Sequence, residues 1–348
     1  MPVFSFIAIA VLMMAVVIFL VLLERKVLAW LTVRKGPNRV GPLGYFQTMA
    51  DAIKLLTKED IMSCGTNKIA FTLAPIIVFA PIMTLYCLVP YTDKLVAANI
   101  PLGLFTILAI SSVSTIGIVM AGWSSGNKYS LLGGMRSAAQ AISYEIPLVV
   151  TSISIALLTG TMNLHKIVGV QSGGVMHTAF LNWNVFSWNI WLGFVGFWVF
   201  LICSIAELNR VPFDLPEAES ELVSGYNTEY SGMKFALFFL AEYAAMFVIS
   251  AIIATLFLGG FLSPFNDYLA NILFSGLITN KLILSSLVHL EQAFWLVGKT
   301  YAIIFLIIWI RATLPRLRAD QLMSFCWKFL LPVSLINLFV TALIKLIF

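Results

Sequence analysis

Acidic side chains crowd one short segment of this 348-residue chain, between two strongly apolar stretches. The segment ELNRVPFDLPEAESELVSG, residues 207–225, carries five acids and one arginine, and Glu229 follows closely. Carboxylates this close repel one another when ionised, which favours proton uptake and makes their protonation easy to switch. The chemistry that these residue types and this spacing favour is therefore proton exchange.

Two structural interpretations of this segment compete with proton exchange. Asp214 followed by Glu217 has the spacing of a capping box, and Pro216 fits a first helical turn, so capping explains one or two of the acids. A solvated acidic loop is the second interpretation, but Pro212-Phe213 favours apolar surroundings. We expect a protonation-sensitive loop whose charged members are Glu207, Arg210, Asp214, Glu217, Glu219, Glu221 and Glu229.

Two further carboxylates fall inside apolar stretches, Glu145 in AISYEIPLVV and Glu242 in FFLAEYAAMF. An ionised group deep in a bilayer costs on the order of 3 kcal/mol or more, so such residues usually serve a pathway or a pair. At about 1.5 Å per helical residue they lie roughly 12 and 15 Å from the inner surface. With Glu207 they would form a file of acids, a half-channel from the inside to mid-membrane. The alternative is that each only holds helices together by pairing with Lys234, Lys299 or Arg136.

The elements that must position these acids are membrane helices. Hydrophobic residues make up 60% of the chain, charged residues 11%, and the mean hydropathy is +0.97. A soluble protein of this size cannot bury so much apolar surface. Segments of spanning length lie near 3–23, 70–89, 101–121, 138–158, 188–206, 235–258, 294–310 and 327–347.

Charge orients these eight spans. The loops 24–69, 122–137, 207–234 and 311–327 hold most of the 21 lysines and arginines, which places them inside and the N-terminus outside. The weaker stretch 268–290 is a ninth span or an interfacial helix; as a span it would move Arg311 and its basic neighbours outward, so eight is preferred. The Met1–Val21 run lacks a basic region before it and a cleavage site after it, and we interpret it as a retained helix.

The first inside loop has a helical pattern of its own. In GYFQTMADAIKLLTKED the polar residues, including Asp51 and Lys54, recur on the face opposite the apolar ones. The apolar set is Tyr45, Phe46, Met49, Ile53 and Leu56. The pattern predicts an amphipathic helix at the membrane surface or against a partner, and it leaves a simple anchoring role equally open.

Several function classes have no support in the sequence. The four cysteines are far apart, with no C-x-x-C pair and no Cys/His cluster, so neither zinc nor an iron–sulfur cluster is expected here. Glycine-rich nucleotide-binding motifs are absent from the sequence, so no nucleotide site is expected. The net charge of +5 follows from topology and does not indicate nucleic acid.

Four long blocks carry a resemblance to a known family. They are ERKVLAWLTVRKGPNRVGPLGYFQTMADAIKLLTKED, GWSSGNKYSLLGGMRSAAQAISYEIPL, AELNRVPFDLPEAESELVSGYNTEYSGMKF and RATLPRLRADQLMSFCWKFLLP. In these blocks the chain resembles the quinone-site membrane subunit of respiratory complex I, a family with bacterial and mitochondrial members. In the outer loops 93–100, 161–187 and 265–292 we identify no block of that family.

The resemblance implies an all-α polytopic membrane protein, a single membrane domain over 1–348, in a bacterial cytoplasmic or mitochondrial inner membrane. It implies a heel subunit of a proton-pumping NADH:quinone oxidoreductase, whose inside loops form a quinone tunnel with two peripheral subunits. Quinone is then the substrate. NADH, FMN and the iron–sulfur clusters belong to partner subunits; small membrane-arm subunits and lipid are further partners.

The same resemblance implies roles for individual residues. The tunnel and its entrance correspond to Arg25, Arg34, Phe46, Met49, Ile53, Arg311 and Arg316. The acidic loop corresponds to a segment that senses quinone reduction. An intramembrane proton path corresponds to Glu145, Tyr144 and Glu242.

Two rival functions remain open. Related subunits serve ferredoxin-, F420H2- and hydrogenase-linked complexes, and the electron donor is not written in this chain. A stand-alone proton-coupled transporter is a more distant rival, because such proteins usually show internal repeats with paired broken helices, and the halves of this chain show no such similarity.

Overall fold

The computed structural model describes residues 2–171, 190–216, 224–263 and 281–347. Its helices are α1 (Pro2–Leu31), α2 (Gln47–Thr57), α3 (Lys68–Leu88), α4 (Gly103–Ser124), α5 (Lys128–Thr159), α6 (Leu164–Gln171), α7 (Ile190–Glu207), α8 (Gly232–Phe257), α9 (Lys281–Thr313), α10 (Ala319–Phe325) and α11 (Leu331–Ile347). A π-helical segment, Cys326–Leu330, joins the last two, and short 3-10 turns occupy Pro42–Gly44 and Gly225–Asn227.

The predicted all-α polytopic membrane fold is confirmed. Within the described ranges, seven helices are long and apolar enough to cross a membrane, counting α10 to α11 as one. The shorter apolar helix α7 begins directly after residues 172–189, which lie outside the described part. The eight predicted spans lie in these helical segments except at residues 89, 101–102 and 258, and at 188–189, which lie outside the described part; the number of crossings and the side on which the N-terminus lies stay predictions.

Several helices run further than hydropathy indicates. The first span is expected to end near residue 23, but α1 continues to Leu31 and so includes Glu24 and Arg25. Residues 281–290, part of the stretch weighed as a ninth span, form the beginning of α9. Hydropathy marks the extent of the bilayer, whereas a helix can continue beyond it where its polar side chains, here Glu24 and Arg25, have partners in the protein.

The core of the bundle is α8, which is buried over most of its length and packs against both α3 and α9. Small residues such as Ala241, Ala244 and Ala251 are almost completely buried along it. Small side chains let neighbouring backbones approach closely, which is the usual source of helix packing in membranes. Because α1 and α2 also contact α8, its beginning can carry a site shared by several elements.

The two ends of the bundle differ in charge. We call the end bearing the loops 32–46, 58–67, 208–216 and 314–318 the basic face, and the other end the opposite face. At the opposite face Lys299 donates to the carbonyls of Leu258, Gly260 and Leu262, at 2.9, 2.8 and 2.6 Å. Cations are favoured at a helix C-terminus, and Lys299 thus stabilises the end of α8.

Candidate functional site at the basic face

A buried ion pair joins α1 to the turn that follows α7. The Nη1 atom of Arg210 lies 2.7 and 2.8 Å from the two carboxylate oxygens of Glu24, and both side chains are at most 3% exposed. Arg311, from α9, contacts the same Glu24 carboxylate. Buried charges persist only when they are paired and hydrogen-bonded. Two helices, α1 and α9, and the turn after α7 are therefore tied together at this carboxylate.

Arg210 also reaches the membrane-embedded acid of α8. Its Nε lies 2.7 Å from Oε1 of Glu242, and its guanidinium lies 4.5 Å from the centroid of the Tyr243 ring. The partner of Glu242 is thus Arg210, whereas Lys234 pairs with Asp60. One guanidinium between two carboxylates makes a compact charge network, whose balance depends on the protonation of either acid.

A buried glutamine fixes the turn that carries Arg210. Gln140, on α5 and 1% exposed, donates from Nε2 to the carbonyls of Ala206 and Phe213 at 2.8 and 2.7 Å. Within the same turn Asp214 pairs with Arg316 at 2.7 Å, and its charge interacts with that of Glu242. Arg316 and Asp214 therefore extend the charge network toward the surface.

The other predicted acids form a second group. Glu207, at the end of α7, lines a void of about 20 Å³ together with Ser111 and Ser204, which is enough space for one water molecule. The charge of Glu145, on α5, interacts with that of Glu207. Within the predicted file, Glu242 thus contacts Arg210, while Glu207 lies at this void.

Tyr144, which is also predicted in the proton path, contacts α10. Its hydroxyl donates to the carbonyl of Leu322 in α10 at 2.9 Å, and its side chain is completely buried. Its neighbour Ser143 accepts from the Cys326 thiol at 3.1 Å through its carbonyl oxygen. These contacts describe a joint between α5 and the π-helical segment.

An apolar cavity of about 640 Å³ opens between α1, α2 and α8. Its walls include Val17, Val21, Leu55, Phe235, Ala236 and Phe239. At one side Arg25 pairs with Asp51 at 2.5 Å, and Gln47 donates to the other oxygen of Asp51 at 3.2 Å. Phe239 of the cavity wall packs against Tyr243 with the ring centroids 4.7 Å apart, so the cavity adjoins the Arg210 network.

The predicted amphipathic helix is confirmed as α2; Leu56 of its apolar set lines the cavity, but most of that set faces away from it. Phe46, Met49 and Ile53 are 53%, 49% and 60% exposed and lie outside the cavity lining. Thr48 and Asp51 face the cavity instead. Both a bilayer and a partner protein offer apolar surroundings, so an amphipathic pattern alone does not say which face packs on the bundle. Arg34 is exposed on the turn after α1.

The second half of the acidic loop is described only in part. Glu217, Glu219 and Glu221 lie outside the described residues. Glu229 accepts a hydrogen bond from Nδ2 of Asn127 at 3.0 Å. Tyr230 stacks on Phe71 with the ring centroids 4.0 Å apart, and burial raises the pKa of Tyr230 to about 12.

The sequence pattern does not indicate a functional role for three residues of the site: Glu24, Asp51 and Asp60. Glu24 ends the first apolar run, directly before Arg25, and its position indicates a membrane boundary as readily as a buried acid. Its partner Arg210 lies 186 positions further along the chain. Only the three-dimensional structure pairs them.

The fold and the site define a class: a polytopic, all-helical membrane protein with a buried charge network beside an apolar cavity at one end of the bundle. The NADH dehydrogenase family model matches residues 4–342, and the chain belongs to that family. It is 48% identical to a protein from Brevibacillus brevis that is named as the H subunit of NADH-quinone oxidoreductase, over 97% of this chain and 93% of that protein.

Two further bacterial relatives with that name have the same level of similarity. The proteins from Bacillus thuringiensis subsp. konkukian and Bacillus cereus strain AH187 are each 48% identical, over 99% of this chain and 95% of their own length. The predicted membership in a family of respiratory enzyme subunits is therefore confirmed. These names say nothing about the tunnel or the acids.

Proposed function

We propose that this chain is a membrane-arm subunit of a proton-translocating NADH:quinone oxidoreductase in a bacterial cytoplasmic membrane. In this proposal the cavity between α1, α2 and α8 admits the quinone. The observation that carries it is the apolar space of about 640 Å³ whose charged side, Arg25 with Asp51, adjoins the Arg210 network. A long isoprenoid tail requires apolar walls, and its polar head requires a charged or hydrogen-bonding end.

The network supplies a way to sense the reaction. Reduction of a quinone to a quinol takes up two electrons and two protons, so negative charge appears near the site until protons arrive. The electrons come from NADH through carriers that we assign to partner subunits. A carboxylate that shares one guanidinium with another acid, as Glu24 and Glu242 share Arg210, responds to such a charge by changing its protonation or its pairing.

The acidic loop then has a place in the same mechanism. Asp214 lies beside the network through its charge interaction with Glu242, and the chain continues from it into the acids at 217, 219 and 221. We infer that this loop passes the charge demand to the group of Glu207 and Glu145, toward neighbouring membrane-arm subunits. The basic face is in this proposal the inside face, where the peripheral quinone-module subunits dock.

A volume change in the cavity tests the proposal. Ala52 lines the cavity, whereas Ala50, on the same helix, is exposed outside the cavity lining. In the assembled complex, Ala52→Phe is expected to lower NADH:quinone turnover while NADH:ferricyanide reductase activity, which uses only the peripheral carriers, is retained. Ala50→Phe is the matched control and should leave both activities unchanged. Equal quinone turnover in the two variants would remove the cavity from the quinone path.

A further inference from the structure

Two walls of the apolar cavity are joined to each other at one end. One wall is α2, which ends at Thr57, and another is α8, which begins at Gly232. Asp60 follows α2 by three residues and Lys234 lies in the first turn of α8. The Nζ atom of Lys234 is 2.8 Å from Oδ2 of Asp60, so an ion pair closes the corner where the two helices meet.

The backbone fixes the same corner. The hydroxyl of Ser231 accepts a hydrogen bond from the amide of Ile61 at 2.9 Å. Gly232 has a φ of +55°, and a Cβ atom there would lie 3.0 Å from the carbonyl oxygen of Lys58. A side chain at this position would be strained and would push the two segments apart. These backbone contacts thus bring Asp60 within reach of Lys234.

The lysine is the fixed half of the pair. Its side chain is 14% exposed, and its Nζ lies 5.1 Å from the centroid of the Phe71 ring, at a distance typical of a cation–π contact. Phe71 is itself stacked on Tyr230. Asp60, in contrast, is 42% exposed and belongs to the loop that continues from α2. The carboxylate is therefore the half that can be released with the least disturbance to the bundle.

The helix α2 is held at two points, and the cavity lies between them. Arg25 binds it to α1 through Asp51, and Lys234 binds the segment at its end to α8 through Asp60. The 11 residues of α2 otherwise present an exposed apolar face on the other side. Loss of the ion pair leaves the Ile61–Ser231 hydrogen bond at this corner, which allows the end of α2 nearest α8 to move and changes the width of the cavity between these two walls.

We propose that the Asp60–Lys234 pair is a latch that sets the width of the cavity and thereby the fit of the quinone tail. This inference rests on the proposed function. It makes Asp60 and Lys234 positioning residues, which act through α2 and do not touch the reacting head group. A long isoprenoid tail fills the cavity and depends on its width, while a short-tailed quinone does not.

The test uses membranes that contain the assembled complex with Asp60→Asn or Lys234→Met. Each single variant is expected to raise the KM for a long-tailed quinone roughly three- to fivefold, in line with the loss of a partly exposed ion pair. The KM for a quinone with a single isoprene unit should change by less than about twofold, a limit set by the same weak interaction. The charge-reversed pair, Asp60→Lys with Lys234→Asp, should restore the long-tail KM toward the original value.

Glu59→Gln is the control for the two single variants. Glu59→Gln removes one negative charge beside Asp60 but leaves the Asp60–Lys234 pair intact, and it should leave both KM values unchanged. Equal changes in KM for long-tailed and short-tailed quinones would show that the pair serves stability alone. So would a long-tail KM that does not recover in the charge-reversed pair. If Ala52→Phe blocks quinone turnover while the latch variants change no KM, the proposed role of the cavity stands and only the latch is wrong.

Discussion

Arg210 and Glu24 form a two-oxygen contact, in which one guanidinium nitrogen lies 2.7 and 2.8 Å from the two carboxylate oxygens. Neither side chain is more than 3% exposed. Because Arg210 also contacts Glu242, the state of one acid is coupled to that of the other through a single cation. The pair is therefore both a joint between α1 and α7 and a component of the charge balance beside the cavity.

Removal of the Glu24 charge should destabilise the basic face. Glu24→Gln leaves Arg210 and Arg311 with one carboxylate fewer, and an uncompensated buried charge costs about 3–5 kcal/mol. We expect less assembled complex on native gels and a lower Tm. The double variant Glu24→Gln with Arg311→Met leaves one cation, Arg210, paired with one carboxylate, Glu242, and should recover part of the Tm. A double variant that is less stable than the single one by the full cost of Arg311→Met would contradict this coupling.

Glu242→Gln should separate assembly from turnover. A glutamine at this position keeps an oxygen beside Nε of Arg210, so the ion pair at 2.7 Å has a neutral substitute and the complex should assemble. The variant has no proton to exchange at this position, and we expect quinone-linked turnover to fall roughly tenfold or more. Turnover of NADH with ferricyanide should persist. Asp320→Asn, a change on the exposed first turn of α10, is the matched control.

Gln140 should prove important for stability although it carries no charge. Gln140→Leu deprives the carbonyls of Ala206 and Phe213 of their donor, and a buried unpaired polar group costs about 1–3 kcal/mol. We expect a lower Tm together with weaker quinone turnover, because these carbonyls fix the turn that holds Arg210. Gln140→Glu, which keeps the shape but lacks the amide donor, should resemble Gln140→Leu. Full stability of both variants would contradict a fixed turn.

The spans can be predicted from the sequence because lipid imposes one simple requirement, a long apolar run. The membrane acids Glu145 and Glu242 can be recognised for the same reason. The partner of Glu242 cannot be predicted, since Arg210 lies in a turn and the sequence offers three other cations as possible partners, Lys234, Lys299 and Arg136. The side of α2 that packs on the bundle cannot be predicted either, because Phe46 and Met49 are compatible with lipid, a partner or the bundle.

Arg25 should influence quinone affinity more than stability. Its side chain is 40% exposed and pairs with Asp51 at the side of the cavity. Arg25→Met is expected to raise the quinone KM several-fold while the Tm changes by little, because exposed ion pairs contribute about 1 kcal/mol or less. Arg34→Met, at an exposed position on the turn after α1, tests whether the effect is specific to the cavity. Identical KM values for Arg25→Met and the original chain would count against an entrance role.

Lys299 should matter for stability and leave the quinone site unaffected. Its ammonium group donates to three carbonyls at the end of α8, on the opposite face from the cavity. Lys299→Met leaves these acceptors without that donor, at about 1–3 kcal/mol for each buried carbonyl, so we expect a clearly lower Tm with an unchanged quinone KM. Lys345→Met is the matched control, because the exposed Lys345 contacts the Leu157 carbonyl at the end of α5, where water can replace it. A change in the quinone KM of Lys299→Met at full stability would instead connect the opposite face to the reaction.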